Sequence, residues 1–177
     1  MGKATQDLRK EHDSILHVLS IMDRMLTDGS KEASQKIAYF NEVVYFLKIF
    51  ADKCHHGKEE SHLFEKLVEK GIPKEGGPVG VMLQEHEKGR EYISQMLKAL
   101  ETKNLIDFKA AAINYRELLR IHIEKENTVL FVMADNLISE EEQDDLFEKF
   151  EQHEENVIGH GVHEELHAMI HKWQKEF

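Results

Sequence analysis

The sequence predicts an all-α fold: an antiparallel four-helix bundle with a C-terminal helical extension. Two observations predict it. Apolar residues recur at steps of three and four over long stretches, and no segment alternates convincingly with period two. Glycine and proline breaks are few, leaving four long helices joined by short turns and followed by a helical tail. With 177 residues the chain is long enough to bury a full core.

The first helix runs from about Thr5 to Thr27, with Leu8, His12, Ile15, Leu19, Met22 and Leu26 on one face, and Asp28-Gly29 stops it. The second covers roughly Lys31 to Lys70. Its stripe is Ile37, Phe40, Val44, Leu47, Ala51, His55, Glu59 and Leu63, and Gly71-Ile72-Pro73 ends it. The third opens at Pro78, a residue suited to a first helical turn, and carries Val79, Met82, His86, Ile93, Leu97 and Leu100. The fourth spans about Ile106 to Leu137, with Phe108, Tyr115, Leu118, His122, Glu126, Val129 and Met133 on its stripe. Ser139-Glu140-Glu141-Glu142 is a capping-box signature that opens a fifth helix. A last amphipathic segment with Val162, Leu166, Met169 and Trp173 follows the Gly159-His160-Gly161 break. The expected division is a bundle over residues 1–137 and a helical extension over 138–177 packed on it.

A formal net charge of −11 argues against nucleic acid, whose phosphates require a basic face. No run approaches 18 apolar residues, so no membrane span is expected. Met1-Gly2-Lys3-Ala4-Thr5-Gln6 lacks the apolar core of a secretory signal, and Gln6 stands where a myristoylation pattern needs Ser or Thr. The single cysteine, Cys54, cannot close an internal disulfide and favours a reducing compartment. The expected location is cytoplasmic.

Histidine is unusually common, at twelve residues. Four histidines and two glutamates fall on the apolar stripes: His12, His55, Glu59, His86, His122 and Glu126. One buried histidine is ordinarily a hydrogen-bonded core residue. Six ionisable groups on four core faces are different, because an uncompensated buried carboxylate costs several kcal/mol. A cation ligated by all six removes that cost, and bundle cores are where such sites are built.

An internal repeat supports this reading. Residues 55–64 read HHGKEESHLF and residues 122–131 read HIEKENTVLF, both fitting H-x-x-K-E-x-x-x-L-F. Glu11-His12-Asp13 precedes the first and Glu85-His86-Glu87 the second. Each half thus supplies one histidine from its first helix and a His-x-x-x-Glu pair, on one helix face, from its second. A shared bundle pattern explains the Leu-Phe pairs but not the matched His and Glu. Two equivalent ligand sets suggest two metals, each taking two histidine nitrogens and two carboxylate oxygens if Glu59 and Glu126 bridge. Mixed imidazole and carboxylate ligands suit iron, while zinc, manganese or another divalent metal could bind the same set. His86 and His122 lie at comparable distances from the turn near Asn104 and can be level. His12 and His55 match less well about Gly29, and a connection reaching Ser34 absorbs only part of the difference.

At these residues, together with GPVGVMLQEHEKGR at 77–90, the chain resembles the hemerythrin-like family with the HHE cation-binding domain. The resemblance covers roughly residues 1–137. It implies two iron ions in an oxo- or hydroxo-bridged di-iron centre, with ligands carried over to His12, His55, Glu59, His86, His122 and Glu126. Some relatives take an extra ligand from the position occupied here by His56. Oxygen-carrying members have a second histidine where this chain has Arg90, and a final His-x-x-x-x-Asp where it has His122-x-x-x-Glu126. Simple reversible O2 carriage is therefore not implied. Arg90 is a candidate to orient a bridging carboxylate. His17 and His62 fall off the stripes and are expected to be solvated.

The implied function is binding, sensing or handling of O2, NO or peroxide, a small diatomic ligand or peroxide being the expected partner. The alternative is a redox enzyme or an iron donor for repair of iron–sulfur centres; metal-free packing or metal storage is a third. A sensor would need a protein partner that the sequence does not identify. His163-Glu164-Glu165-Leu166-His167 also matches the zinc-protease motif H-E-x-x-H. The motif is short, the chain is rich in both residues, and no third ligand follows at a protease spacing.

Overall fold

The computed structural model describes residues 1–177, and it is all-helical, with no strands. Six helices follow in order: α1 (Lys3–Thr27), α2 (residues 33–69), α3 (Pro78–Glu101), α4 (residues 105–137), α5 (Glu140–Val157) and α6 (Val162–Glu176). Local chemistry sets their ends. Glu32 and Gln35 form a reciprocal capping box before α2. Gly77 precedes Pro78 at the start of α3, and the Asn104 side chain accepts the Asp107 N–H at 3.0 Å to open α4. The Ser139 hydroxyl accepts from the Glu142 N–H, while the Glu142 carboxylate accepts from the Ser139 N–H. Gly161, at φ 85°, turns the chain into α6 in the left-handed region that favours glycine.

The buried apolar residues form two clusters. One holds Ile15, Leu19 and Met22 of α1, Phe40, Val44 and Leu47 of α2, Ile93 and Met96 of α3, and Phe108, Tyr115 and Leu119 of α4. The other holds Ala4 and Leu8 of α1, Leu63 and Phe64 of α2, Val79 and Met82 of α3, and Leu130 and Phe131 of α4. Each helix from α1 to α4 crosses from one cluster to the other, in the opposite order to its predecessor. On α1 to α4 the buried histidines and glutamates lie where these two sets of positions meet.

Neither α2 nor α4 is a regular α-helix. Residues 47–56, 59–63 and 126–130 adopt wide turns in which the N–H bonds to the carbonyl five residues back. The repeat is visible in the backbone: Phe64 N–H bonds the Glu59 carbonyl, and Phe131 N–H bonds the Glu126 carbonyl. The wide turn corrects the stripe expected on the fourth helix. Val129 is 50% exposed, and Leu130, Phe131 and Ala134 are buried in place of Val129 and Met133, because one additional residue in the turn advances the inward face by one position.

The extension covers both clusters. Leu146 and Phe150 of α5 join one cluster, while Leu166, Ile170 and Trp173 of α6 join the other. The Trp173 indole N–H donates to Glu42 at 2.8 Å. His17 and His62 are half-buried rather than solvated, because the extension lies over them. His17 pairs with the Gln174 amide at 2.7 Å, and His62 packs edge-on to His153. No helix is long and apolar enough to cross a membrane.

Candidate metal centre

All six residues singled out on the stripes come together, fully buried, and His56 joins them. Their donor atoms form two groups, each within 4.8 Å: His12, His55, Glu59 and Glu126; and His56, His86, His122 and Glu59. Glu59 belongs to both. Its Oε1 lies 3.3 Å from His55 Nε2 and its Oε2 lies 3.3 Å from His86 Nε2. Glu126 Oε2 lies 3.1 Å from His12 Nε2 and 3.3 Å from His122 Nε2. Each carboxylate therefore reaches one histidine of its own half and one of the other.

The two groups are not the equal sets that the repeat suggested. His56 makes the second group rich in histidine, whereas the matching position in the other half is Ile123, which packs in the apolar core. The His56 ring stacks on His86 with centroids 3.9 Å apart, and neither of its nitrogens has a hydrogen-bond partner. Burial and the surrounding histidines hold it well below the ordinary imidazole range, so it is a neutral ring with a free lone pair.

Sequence reasoning missed the groups behind the histidines, although the repeat contained them. His55 Nδ1 donates to Glu11 at 2.7 Å, and His122 Nδ1 donates to Glu85 at 2.9 Å. Glu11 and Glu85 are the residues immediately before His12 and His86. The repeat lysines hold those glutamates: Lys58 bonds Glu11 at 2.6 Å, and Lys125 bonds Glu85. The residue after Glu59 and the residue after Glu126 each reach across to the other half. Glu60 accepts from His86 Nδ1 at 2.8 Å, and Asn127 Oδ1 accepts from His12 Nδ1 at 2.8 Å. The Lys-Glu of H-x-x-K-E and the Glu before each first-helix histidine were thus the missed signal. With Nδ1 of all four histidines engaged, each Nε2 is directed inward as a ligand nitrogen would be.

Arg90 touches neither Glu59 nor Glu126. It bonds Glu60 at 2.7 Å and Asp52 at 2.9 Å, steadying the carboxylates behind His86 and beside His56. The charges are finely poised. Burial disfavours charge on His55 and His122, but Glu59 and Glu11 around one, and Glu126 and Glu85 around the other, raise both to about 10. Burial and the neighbouring Glu59 oppose charge on Glu126, yet the surrounding histidines bring it down to about 2.

Donor chemistry and burial both fit a metal. His12 Nε2, His55 Nε2, both His56 nitrogens and all four oxygens of Glu59 and Glu126 are buried without a hydrogen-bond partner. Buried polar atoms are ordinarily paired, so such a converging set suits cations that the side chains alone do not supply. The model of the hemerythrin HHE cation-binding domain matches residues 3–134. The chain belongs to the hemerythrin HHE family. Uncharacterized proteins of Mycobacterium bovis and Mycobacterium tuberculosis are 25% identical to it over 162 residues, 88% of this chain and 63% of theirs. The chain thus spans less than two thirds of the length of these curated relatives. No solved structure matches it. As a hemerythrin-like domain it is a cation-binding module, and its His/Glu cluster can hold metal.

The tail motif lies apart from this cluster. His163 and His167 meet on α6, but Glu164, the general base in a protease reading, is exposed, and no third ligand stands at motif spacing.

Proposed function

We propose that this hemerythrin-like protein holds two iron ions on His12, His55, Glu59, His86, His122 and Glu126, with His56 as a further ligand, and binds, senses or handles O2, NO or peroxide. The observation that carries the reading is the convergence of buried donor atoms without partners on two groups that share Glu59. Imidazole nitrogens mixed with carboxylate oxygens match the preference of iron. Bound iron would supply one-electron redox change and open positions for a small ligand.

The protein's own part is to hold and insulate. Glu11, Glu60, Glu85 and Asn127 fix the histidine rings, and the two apolar clusters wall the site off on either side. The alternating order in which α1 to α4 cross those clusters supports an antiparallel four-helix bundle over residues 1–137, with 138–177 as a covering extension. A cytoplasmic location, with no nucleic acid or membrane as partner, is part of the same reading.

The test is to reduce the iron-loaded protein anaerobically and add O2, NO and peroxide separately while recording the optical spectrum. The reading expects a rapid change with at least one of them, abolished in Glu59→Ala. Indifference to all three would overturn it.

A further inference from the structure

Outside the buried cluster, a pair of metal-type donors stands on the extension. His163 and His167, one turn apart on α6, face each other with their Nε2 atoms 2.7 Å apart. His163 is 40% exposed and His167 lies at the surface. Solvated histidines ordinarily spread toward water; these converge in a hydrogen bond between the two Nε2 atoms, which a metal would displace, and the His163 ring is held. Its Nδ1 donates to Glu154 Oε1 at 2.5 Å, and the other Glu154 oxygen accepts from buried Lys58 at 3.1 Å. Phe50 lies under the ring edge at 6.1 Å, and buried Leu166 anchors the helix between the two histidines. A carboxylate on the distal nitrogen of an imidazole is the arrangement that orients metal-bound histidines.

The pair opens onto a groove of about 250 Å³ between α1, α5 and α6, whose walls carry Asp7, Glu151 and Glu154 against Lys10. The nearby group of Glu11, Cys54 and Glu154 is a poorer candidate, since the Lys58 ammonium already bonds both of its carboxylates.

We propose that His163 and His167 form a second, surface site for a divalent ion of the zinc class, with His163 oriented by Glu154 and the remaining positions filled by water or a groove carboxylate. Zinc–nitrogen bonds of about 2.0–2.1 Å place two nitrogens of a tetrahedral site about 3.3 Å apart, so the pair needs to open by well under an ångström. The proposal stands apart from the di-iron reading, because no residue of the pair belongs to the buried cluster.

The test is zinc binding by equilibrium dialysis to the iron-loaded full chain, as wild type and as His163→Ala, His167→Ala and His171→Ala, the last an exposed histidine one turn beyond the pair. The expected result is one zinc per chain for wild type and His171→Ala, weakened at least about tenfold in the other two, with iron content equal in all four. Equal zinc uptake in all four, no uptake by wild type, or loss in His171→Ala with retention in His163→Ala would overturn it. Because the readout is the difference between surface variants, it stays decisive whichever metal the buried cluster holds.

Discussion

At the scale of single residues, the candidate site is a set of matched pairs whose environments differ. Lys58 and Lys125 occupy the same place in the repeat and hold equivalent glutamates, yet Lys58 is buried among Glu11, Asp7 and Glu154 while Lys125 is half in solvent. Removing one partner of a buried ion network leaves uncompensated charge, at a cost of about 3–5 kcal/mol, whereas an exposed pair contributes about 0–1 kcal/mol. Lys58→Met should therefore lower stability by several times the effect of Lys125→Met in denaturant unfolding; equal effects would contradict the burial argument. Glu60 and Asn127 form a second matched pair, a carboxylate behind His86 and an amide behind His12. Glu60→Gln should weaken metal binding by about 10–100-fold, measured by competition with a chelator. An unchanged affinity would mean that Glu60 serves Arg90 rather than His86. The six stripe residues were legible in the sequence because charge on a core face is conspicuous. The orienting residues were not, because Glu11, Glu85 and the repeat lysines read alone as ordinary solvated helix residues.

At the scale of elements, the long helices and their breaks were readable from periodicity and turn chemistry, and the Ser139 capping box forms as read. What a fixed 3.6-residue period could not reveal is the widening of α2 and α4. A turn closed by a five-residue hydrogen bond holds more residues and advances less along the axis for each one. The longest wide stretch, residues 47–56, runs through His55 in the half of the chain where the ligand heights did not match, and it shortens α2 there. In the other half the wide turn begins only after His122, where the heights already agreed. The same widening sets the inward face beyond Glu126. Leu130→Ala should cost about 2–5 kcal/mol, as a fully buried leucine does, while Val129→Ala should stay within about 0.5 kcal/mol. Thermal or denaturant unfolding checks this, and the reverse ranking would restore the regular stripe.

At the scale of the whole molecule, a polar layer lies between two apolar clusters, and protons stand in for cations when metal is absent. Burial opposes charge on His55 and His122, but their carboxylate partners raise both to about 10. A histidine raised in the folded state gives its full stabilisation below its ordinary value near 6.5, and loses it as pH rises through the folded value. The metal-free chain should therefore lose stability progressively between about pH 6.5 and 10, and metal loading at neutral pH should release protons from these rings. Loading without acidification of a weakly buffered solution would show that these rings are not protonated in the metal-free protein. The central claim is that the buried layer is one two-metal site bridged by shared glutamates, and the most direct measurement is metal stoichiometry with the optical spectrum after aerobic iron loading. Wild type and Glu164→Gln should each hold close to two irons per chain and absorb in the near ultraviolet, while Glu59→Ala should lose the two-iron state. A single tightly held zinc without iron uptake, or a Glu59→Ala protein that keeps both irons, would contradict it.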